Sequence, residues 1–292
     1  MLYLPTPYGA KRVMFQEAAA LGVSEIRLDL EVSAVFPEAG QPPDWAGVDE
    51  VMQLSEQYQL AVLANLTAMP AWESSCGGDY RCPSNDPLVW GSQVEQIVAH
   101  TRGVIDNFEA WNEPDGAWSW RGTAQQYGQM LAVDYAAVHR VNPRARVVLG
   151  GIMDPTSTAW LDEALGVADA RFDVANIHVR MPLDQITSTV RRWAHRFAEP
   201  LWITEMGYPA DPAYQTYPGF QGGAQSQAAY LREAIPAMLA AGARKVFVTE
   251  RDEGTGRFAS EGVLHTQDPL PADPHPVPRP SFFAVQRLAR TL

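Results

Sequence analysis

The chain has little lysine, little cysteine and no long apolar run. Lys11 and Lys245 are its only lysines, and 34 acidic side chains against 22 basic ones give the 292 residues a formal net charge of −12. So acidic a chain, without a basic run, is poorly suited to nucleic acid or to an anionic membrane. No apolar stretch approaches the roughly 20 residues that span a bilayer. Residues 1–5 also lack the basic start and apolar core of a signal peptide. We therefore expect neither nucleic acid nor a membrane as a partner.

The two cysteines, Cys76 and Cys82, lie close together in a loop rich in glycine, serine, proline and aspartate. A structural zinc site would need a second pair of ligands, and the sequence contains no HxH or HExxH motif. We therefore expect no metal and no other cofactor. Without a signal peptide the chain is either cytoplasmic or a mature form. A Cys76–Cys82 disulfide is the pairing we expect, and because disulfides persist in oxidising compartments it favours a secreted or extracytoplasmic protein.

Short β-branched segments alternate with amphipathic segments along the whole chain. Strand-like segments lie at residues 2–4, 24–30, 60–66, 104–111, 146–149, 172–179, 201–205 and 245–249. Helix-like segments lie near residues 10–21, 45–57, 87–100, 124–141, 159–167, 184–197, 225–241 and 281–291. Capping residues mark several boundaries, among them Gly22, Asp86 before Pro87, and Thr123 with Gln126. Eight strand–helix pairs, without a glycine-rich phosphate loop after the first strand, predict an α/β fold. The specific prediction is a (β/α)₈ TIM barrel that forms a single domain over residues 1–292.

Two glutamates follow buried-looking strands at positions that suit catalysis. Glu113 stands in Trp111-Asn112-Glu113-Pro114 after the fourth predicted strand, and Glu205 ends the seventh. In a TIM barrel both would face the mouth at the carboxyl ends of the strands, where the chemistry of this fold takes place. Glycoside hydrolysis needs two carboxyl groups on either side of one sugar bond. The alternative is a pair of structural carboxylates held in salt bridges at the rim.

Two further motifs accompany these glutamates: Ile-Arg-Leu-Asp at residues 26–29 on the second strand, and Glu-Gly-Val-Leu at residues 261–264 after the eighth. With them the chain resembles the clan A retaining glycoside hydrolases, most closely the family 39-like and family 5-like barrels, over essentially its whole length. The resemblance implies cleavage of an equatorial glycosidic bond by double displacement, with Glu113 as the acid/base and Glu205 as the nucleophile. It also implies that Asn112 hydrogen-bonds the sugar 2-hydroxyl and that Arg27 lies beneath the nucleophile. His178 represents the strand-six histidine of that pattern.

The chain departs from the clan pattern at three places. Arg180 stands where a tyrosine often holds the nucleophile, Val32 replaces a usual tryptophan, and residues 249–252 lack the aromatic residue often found at the end of strand eight. These departures leave the pair of glutamates in place, but they remove any guide to the sugar that would lie beside it.

Further candidate substrate-binding residues lie in or beside the predicted mouth loops: Trp72, Trp118, Trp120, Tyr208 and Glu250. Trp118 and Trp120 are two positions apart, so in an extended loop both would point to one side, and we expect one of them to stack on a sugar. Four charged residues either bind polar or acidic sugar substituents or satisfy each other in a buried ion network: Arg180, Glu250, Arg251 and Asp252.

Two of the candidates also have plain structural interpretations. Asn112 is either a ligand for a sugar hydroxyl or a turn-forming residue before Pro114. His178 is either a core histidine or a substrate contact.

Two other functions are open to the same barrel. One is a glycan-binding barrel without activity, and the other is a transglycosylase that uses the same two carboxyl groups. A carbohydrate is the expected partner in each case, endo and exo action are both open, and we expect a monomer.

Overall fold

The computed structural model describes residues 2–214, 217–218, 220 and 222–291. Strands and helices alternate along these residues, as predicted. The strands are β1 (Leu2–Tyr3), β2 (Glu25–Glu31), β3 (Ala61–Thr67), β4 (Asn107–Asn112), β5 (Arg146–Gly151), β6 (Ala175–Val179), β7 (Leu201–Met206), β8 (Ala243–Val248), β9 (Leu264–His265) and β10 (Val277–Pro278). The helices are α1 (Tyr8–Leu21), α2 (Val32–Val35), α3 (Ala46–Tyr58), α4 (Pro87–His100), α5 (Ala124–Val141), α6 (Ala159–Leu165), α7 (Leu183–Ala194), α8 (Ala224–Ala240) and α9 (Pro280–Ala289). A short 3₁₀ helix lies at Gly256–Ser260.

Strands β1 to β8 form the parallel sheet of a (β/α)₈ barrel, which confirms the predicted fold class. Hydrogen-bonded pairing runs in the order β1-β2-β3-β4-β5 and again in the order β6-β7-β8. Single parallel bridges from Val148 to Val174 and from Ile152 to Ile177 join β5 to β6. Because the barrel strands point the same way, their carboxyl ends meet at one face, which is the mouth of the barrel.

The seam between β8 and β1 is more open than the rest of the barrel. Among the described strands β8 pairs with β7 alone, and β1 pairs with β2 over two residues. An ion pair between Lys245 and Glu25 spans the seam near the face opposite the mouth. A cavity of about 560 Å³ follows the seam from these residues to Arg27 and Glu205 at the mouth.

The interior of the barrel is layered. A small apolar cluster of Leu63, Val148, Val174 and Trp202 fills its lower part, separate from the larger core between the strands and the outer helices. Side chains two positions further along a strand point the same way, so the next interior layer toward the mouth includes the buried side chains of Asn65, Asn176 and Thr204. The interior of the barrel therefore changes from apolar side chains in its lower part to polar side chains near the mouth.

The predicted caps are present at the helix ends. Gly22 ends α1 in the left-handed conformation, with a φ of 85°. The Asp86 carboxylate accepts a hydrogen bond from the backbone N–H of Leu88 at the start of α4. Thr123 and Gln126 form the reciprocal capping box of α5. These local bonds satisfy backbone groups that a helix leaves unpaired at its ends, so the sequence specifies these boundaries directly.

The loop between β3 and α4 contains a disulfide that joins Cys76 to Cys82. Within the described part of the chain, no helix combines the length and the apolar character that crossing a membrane requires.

Candidate active site

The end of strand β4 positions Glu113 through an uncommon backbone conformation. Trp111 and Glu113 both have positive φ angles, 76° and 43°, which residues other than glycine adopt at a cost in energy. The Trp111 ring is buried, and its indole N–H donates to the carbonyl of Ser119 at 3.1 Å. The Ser119 hydroxyl in turn donates to the carbonyl of Asn112. The loop after β4 therefore folds back on the strand end and holds Glu113 at the mouth.

His178 on β6 is a close partner of Glu113. Its Nδ1 lies 2.6 Å from Glu113 Oε1, and its Nε2 lies 3.1 Å from Thr204 Oγ1. The buried ring packs against the end of β5, where a Cβ atom on Gly151 would lie only 2.0 Å from Nε2. Glycine at position 151 therefore makes room for the imidazole, which contacts a candidate catalytic carboxyl group.

Glu205 on β7 lies between two arginines. Arg27 Nη1 donates to Glu205 Oε1 at 2.7 Å, and Arg180 Nη2 donates to Glu205 Oε2 at 2.9 Å. Burial alone would favour the neutral acid, but charge interactions with His178, Arg27 and Arg180 hold the pKa of Glu205 well below its ordinary value. The Glu205 carboxylate is therefore ionised at neutral pH.

The two candidate catalytic carboxyl groups lie close together. One oxygen of Glu113, one oxygen of Glu205 and one ring nitrogen of His178 all lie within 4.8 Å of one another. A metal ion could use such a spacing, but Arg27 and Arg180 already supply positive charge beside Glu205. Carboxyl groups about 5–5.5 Å apart are typical of retaining glycosidases, and groups about 6.5–9.5 Å apart are typical of inverting ones. An approach of one oxygen of Glu113 and one oxygen of Glu205 to within 4.8 Å is compatible with the shorter of these two separations.

Sequence reasoning missed Glu109, which lies beneath the site. Its buried carboxylate accepts two hydrogen bonds from Arg27, at 2.6 and 2.9 Å, and one from Asn176 at 3.0 Å. Glu109 and Glu205 together hold the Arg27 guanidinium, which lies beneath Glu205 where it was expected. The same guanidinium donates to Asn112 Oδ1 at 2.9 Å. The available signal was a glutamate flanked by the apolar Phe108 and Ala110 inside a strand, since charged residues are rarely buried unless they are paired.

The expectation for the two tryptophans after β4 is wrong for Trp120. Trp118 is 56% exposed, whereas Trp120 is 3% exposed and packs edge-on against Trp111, with the ring centroids 5.1 Å apart. The loop is not extended, because the N–H groups of Ser119 and Trp120 both donate to the carbonyl of Gly116 and turn the chain. The two rings point in different directions, and of the two Trp118 is the one open to a ligand.

Tyr208 does not reach the mouth either, which corrects its assignment as a substrate-binding residue. It is buried, and its hydroxyl donates to the carbonyl of Phe220 at 3.0 Å. Its ring packs against Tyr230 on α8, with the centroids 4.8 Å apart. Tyr208 therefore anchors α8 and the loop after β7 to the barrel.

Trp72 and Glu250 lie beside the mouth in structural settings. The Trp72 indole donates to the carbonyl of Phe36 at 2.9 Å, which joins the loops that follow β3 and β2. Burial raises the pKa of Glu250 to about 8. Glu250 borders the seam cavity. The other three residues considered for an ion network pair with different partners: Arg180 with Glu205 and Glu261, Arg251 with Asp268, and Asp252 with Arg279.

Comparisons with known proteins agree with this fold. Residues 81–243 match the family described as glycosyl hydrolase catalytic core. No curated protein sequence matches the chain.

Solved structures of several glycoside hydrolases share the fold. A family 39 glycoside hydrolase from Bacteroides cellulosilyticus WH2 is 18% identical, with a TM-score of 0.71 over 99% of this chain and 62% of that chain. A family 5 (subfamily 18) enzyme from Streptomyces cattleya, in complex with Manβ1-4GlcNAc, is 18% identical, with a TM-score of 0.72 over 99% of this chain and 79% of that chain. A monomeric β-xylosidase from Caulobacter crescentus CB15 is 16% identical, with a TM-score of 0.72 over 96% of this chain and 64% of that chain.

The chain thus spans less than two thirds of the length of some of these neighbours, and the likeness to them lies in the barrel. It confirms the resemblance to family 39 and family 5 barrels. Since the family match covers more than half of its residues, the chain belongs to the glycosyl hydrolase catalytic core family.

Proposed function

We propose that this chain is a retaining glycoside hydrolase that cleaves an equatorial glycosidic bond in an oligo- or polysaccharide by double displacement. The observation that carries the proposal is the approach of Glu113 and Glu205 to within 4.8 Å at the mouth of a glycosyl hydrolase barrel. That spacing lets one carboxylate reach the anomeric carbon while the other reaches the leaving oxygen. Both groups come from one barrel, so we propose that residues 1–292 act as a single catalytic domain.

The unequal surroundings of the two carboxyl groups support different roles for them. Glu205 has a guanidinium on each oxygen, which suits an ionised nucleophile. Glu113 is hydrogen-bonded to His178, and Arg180 approaches it only to 3.7 Å. We assign Glu113 the role of acid/base on this asymmetry.

The reaction then has two balanced steps. In the first, Glu113 gives its proton to the glycosidic oxygen as the bond from that oxygen to C1 breaks, and a Glu205 oxygen forms an ester bond to C1. In the second, Glu113 takes a proton from water as the water oxygen bonds to C1 and the ester bond breaks. One water is consumed, and two inversions at C1 leave its configuration retained.

Polar groups around the pair support a sugar substrate. Arg27 holds the Asn112 amide through its oxygen, which leaves the amide N–H groups for an acceptor such as a sugar hydroxyl. Two structural neighbours are named as a β-glucosidase and a β-xylosidase, which agrees with an equatorial β-D bond or its stereochemical equivalent in the α-L series.

The test is a screen of the wild type and the Glu205→Gln variant on aryl glycosides and polysaccharides, followed through released reducing ends. Loss of the nucleophile should lower activity by on the order of 10³-fold or more. Glu163→Gln is the matched control, because Glu163 is exposed on helix α6, and it should behave as the wild type.

Two other outcomes would change the proposal. Products longer than the substrate would favour a transglycosylase on the same carboxyl groups. Glycan binding without cleavage by the wild type would contradict the proposal and favour a barrel that only binds.

A further inference from the structure

The Arg180 guanidinium lies between both candidate catalytic carboxyl groups and a third carboxylate. Its Nη2 donates to Glu205 Oε2 at 2.9 Å, and its Nε donates to Glu261 Oε2 at 3.0 Å. Its Nη1 lies 3.7 Å from Glu113 Oε1. Each of the three guanidinium nitrogens therefore faces a different carboxyl group.

Glu261 is a fixed anchor for this guanidinium. Its carboxylate is fully buried, and its Oε1 accepts a hydrogen bond from Arg257 Nε at 2.9 Å. A buried carboxylate is costly unless it is paired, and here two arginines satisfy one oxygen each. A Cβ atom on Gly207 would lie 2.5 Å from Glu261 Oε2, so glycine after strand β7 leaves the carboxylate its space.

The backbone that carries Glu261 is also held. The side chain of Gln227 on α8 donates to the carbonyls of Ser260, Glu261 and Gly262, at 3.2, 3.0 and 3.2 Å. The position of the Glu261 carboxylate is therefore tied to a helix of the barrel and not to the loop alone.

We propose that Arg180 is a positioning residue for both candidate catalytic carboxyl groups, and that the buried carboxylate of Glu261 fixes Arg180 in that place. The inference rests on the proposed function, because it assigns Glu205 and Glu113 their roles. Arg27 and Arg180 each take one oxygen of Glu205, which sets the rotation of the carboxylate toward the anomeric carbon. When Glu205 becomes an ester, its charge is lost, and the charge of Arg180 is then available to stabilise Glu113 as the base of the second step.

The experiment compares three variants by their kinetics across pH on a substrate that the wild type cleaves. Arg180→Gln should lower kcat by about 10²-fold, as misplacement of a reacting group does, with little change in KM. It should also move the acidic limb of the kcat/KM profile to higher pH, because Glu205 loses one of the charges that keep it ionised. Glu261→Gln should lower kcat by less, since Arg180 remains but is held less firmly. It should not move the acidic limb to higher pH, because loss of the Glu261 charge favours the ionised form of Glu205. Arg180→Lys keeps the positive charge but cannot reproduce the paired bonds of the guanidinium to Glu205 and Glu261. Its acidic limb should therefore stay at the pH of the wild type, while its kcat falls.

The control is Lys11→Gln, which breaks a 2.8 Å ion pair between the buried Lys11 side chain on outer helix α1 and the partly exposed Glu50 on outer helix α3. It should lower stability and keep the pH profile of the wild type, which separates positioning from a structural effect. A rise in KM alone in the Arg180 variants would overturn the inference in favour of substrate binding. An Arg180→Gln variant with the kcat and the acidic limb of the wild type would overturn it outright. Activity in Glu205→Gln would instead contradict the proposed function itself, so the two failures are distinguishable.

Discussion

At the scale of single residues, the buried charges at the mouth are arranged in pairs. Arg27 faces Glu109 and Glu205, and Arg180 faces Glu205 and Glu261. Because these guanidiniums already serve carboxylates of the protein, they have little capacity left for the carboxylate of an acidic sugar. If the chain acts as proposed, we therefore expect a neutral sugar and not a uronate beside Glu205.

The two tryptophans after β4 allow a direct test of exposed against buried aromatic residues. Trp118→Ala should raise KM several-fold if its exposed ring stacks on a sugar, since an aromatic contact contributes about 0.5–1.5 kcal/mol. It should change the free energy of unfolding by less than about 0.5 kcal/mol. Trp120→Ala should destabilise the fold by about 3–5 kcal/mol, because it empties a buried site against Trp111. Steady-state kinetics and urea unfolding of the two variants measure these effects. A destabilised Trp118→Ala together with a Trp120→Ala that raises KM alone would contradict this interpretation.

What the sequence reveals at this scale depends on how local the determinant is. Glu113 and Glu205 are recognisable because each stands at the end of a strand and in a short motif. The prediction for Trp120 failed because residues two positions apart share a face only in an extended chain. The turn at Gly116 breaks that condition, and a two-residue spacing gives no sign of it. The role of Glu109 depends on partners that the fold brings from other strands.

At the scale of elements, helices α4 and α5 are joined by a buried polar contact. The Asp134 carboxyl on α5 accepts a hydrogen bond from the Trp90 indole on α4 at 2.7 Å. Burial raises the pKa of Asp134 to about 7, against an ordinary value near 4. The folded protein thus holds a proton there that the unfolded chain releases, so the contribution of Asp134 to stability is full below about pH 4 and is lost as pH rises to about 7.

The Asp134→Asn variant should remove this loss, because asparagine keeps an acceptor for Trp90 and cannot ionise. Relative to the wild type, its free energy of unfolding should improve between about pH 4 and pH 7, by up to a few kcal/mol, and then stay level. Urea unfolding at pH 4.5 and pH 8 measures the difference. Asp273→Asn, at an exposed carboxylate, should show no such trend. An Asp134→Asn effect that is equal at both pH values would refute the account.

The elements themselves were largely predictable, because their signals are local. The capping box of Thr123 with Gln126 and the Asp86 cap mark helix starts through contacts within three residues. Helix α2, the 3₁₀ helix at Gly256–Ser260 and the β9–β10 pair were not predicted. They are short pieces inside mouth loops, where packing against the barrel outweighs any periodic pattern.

At the scale of the whole molecule, the barrel brings together residues that are distant in sequence. Arg27 reaches Glu109 across 82 positions and Glu205 across 178. Alternating strands and helices predict the barrel, and the barrel predicts that strand ends meet at one mouth. The pairs formed there, and the open seam between β8 and β1, follow from three-dimensional packing that no sequence pattern encodes. A secreted or extracytoplasmic location stays a prediction that rests on the Cys76–Cys82 disulfide.

The most direct test of double displacement is the configuration of the sugar that is released first. Proton NMR of the anomeric region, recorded in the first minutes of cleavage of any substrate that the wild type accepts, distinguishes the two outcomes before mutarotation mixes the anomers. With Glu205 as nucleophile and Glu113 within 4.8 Å of it, the first product should carry the same anomeric configuration as the substrate. Release of the opposite anomer first would contradict a covalent intermediate on Glu205 and with it the central claim.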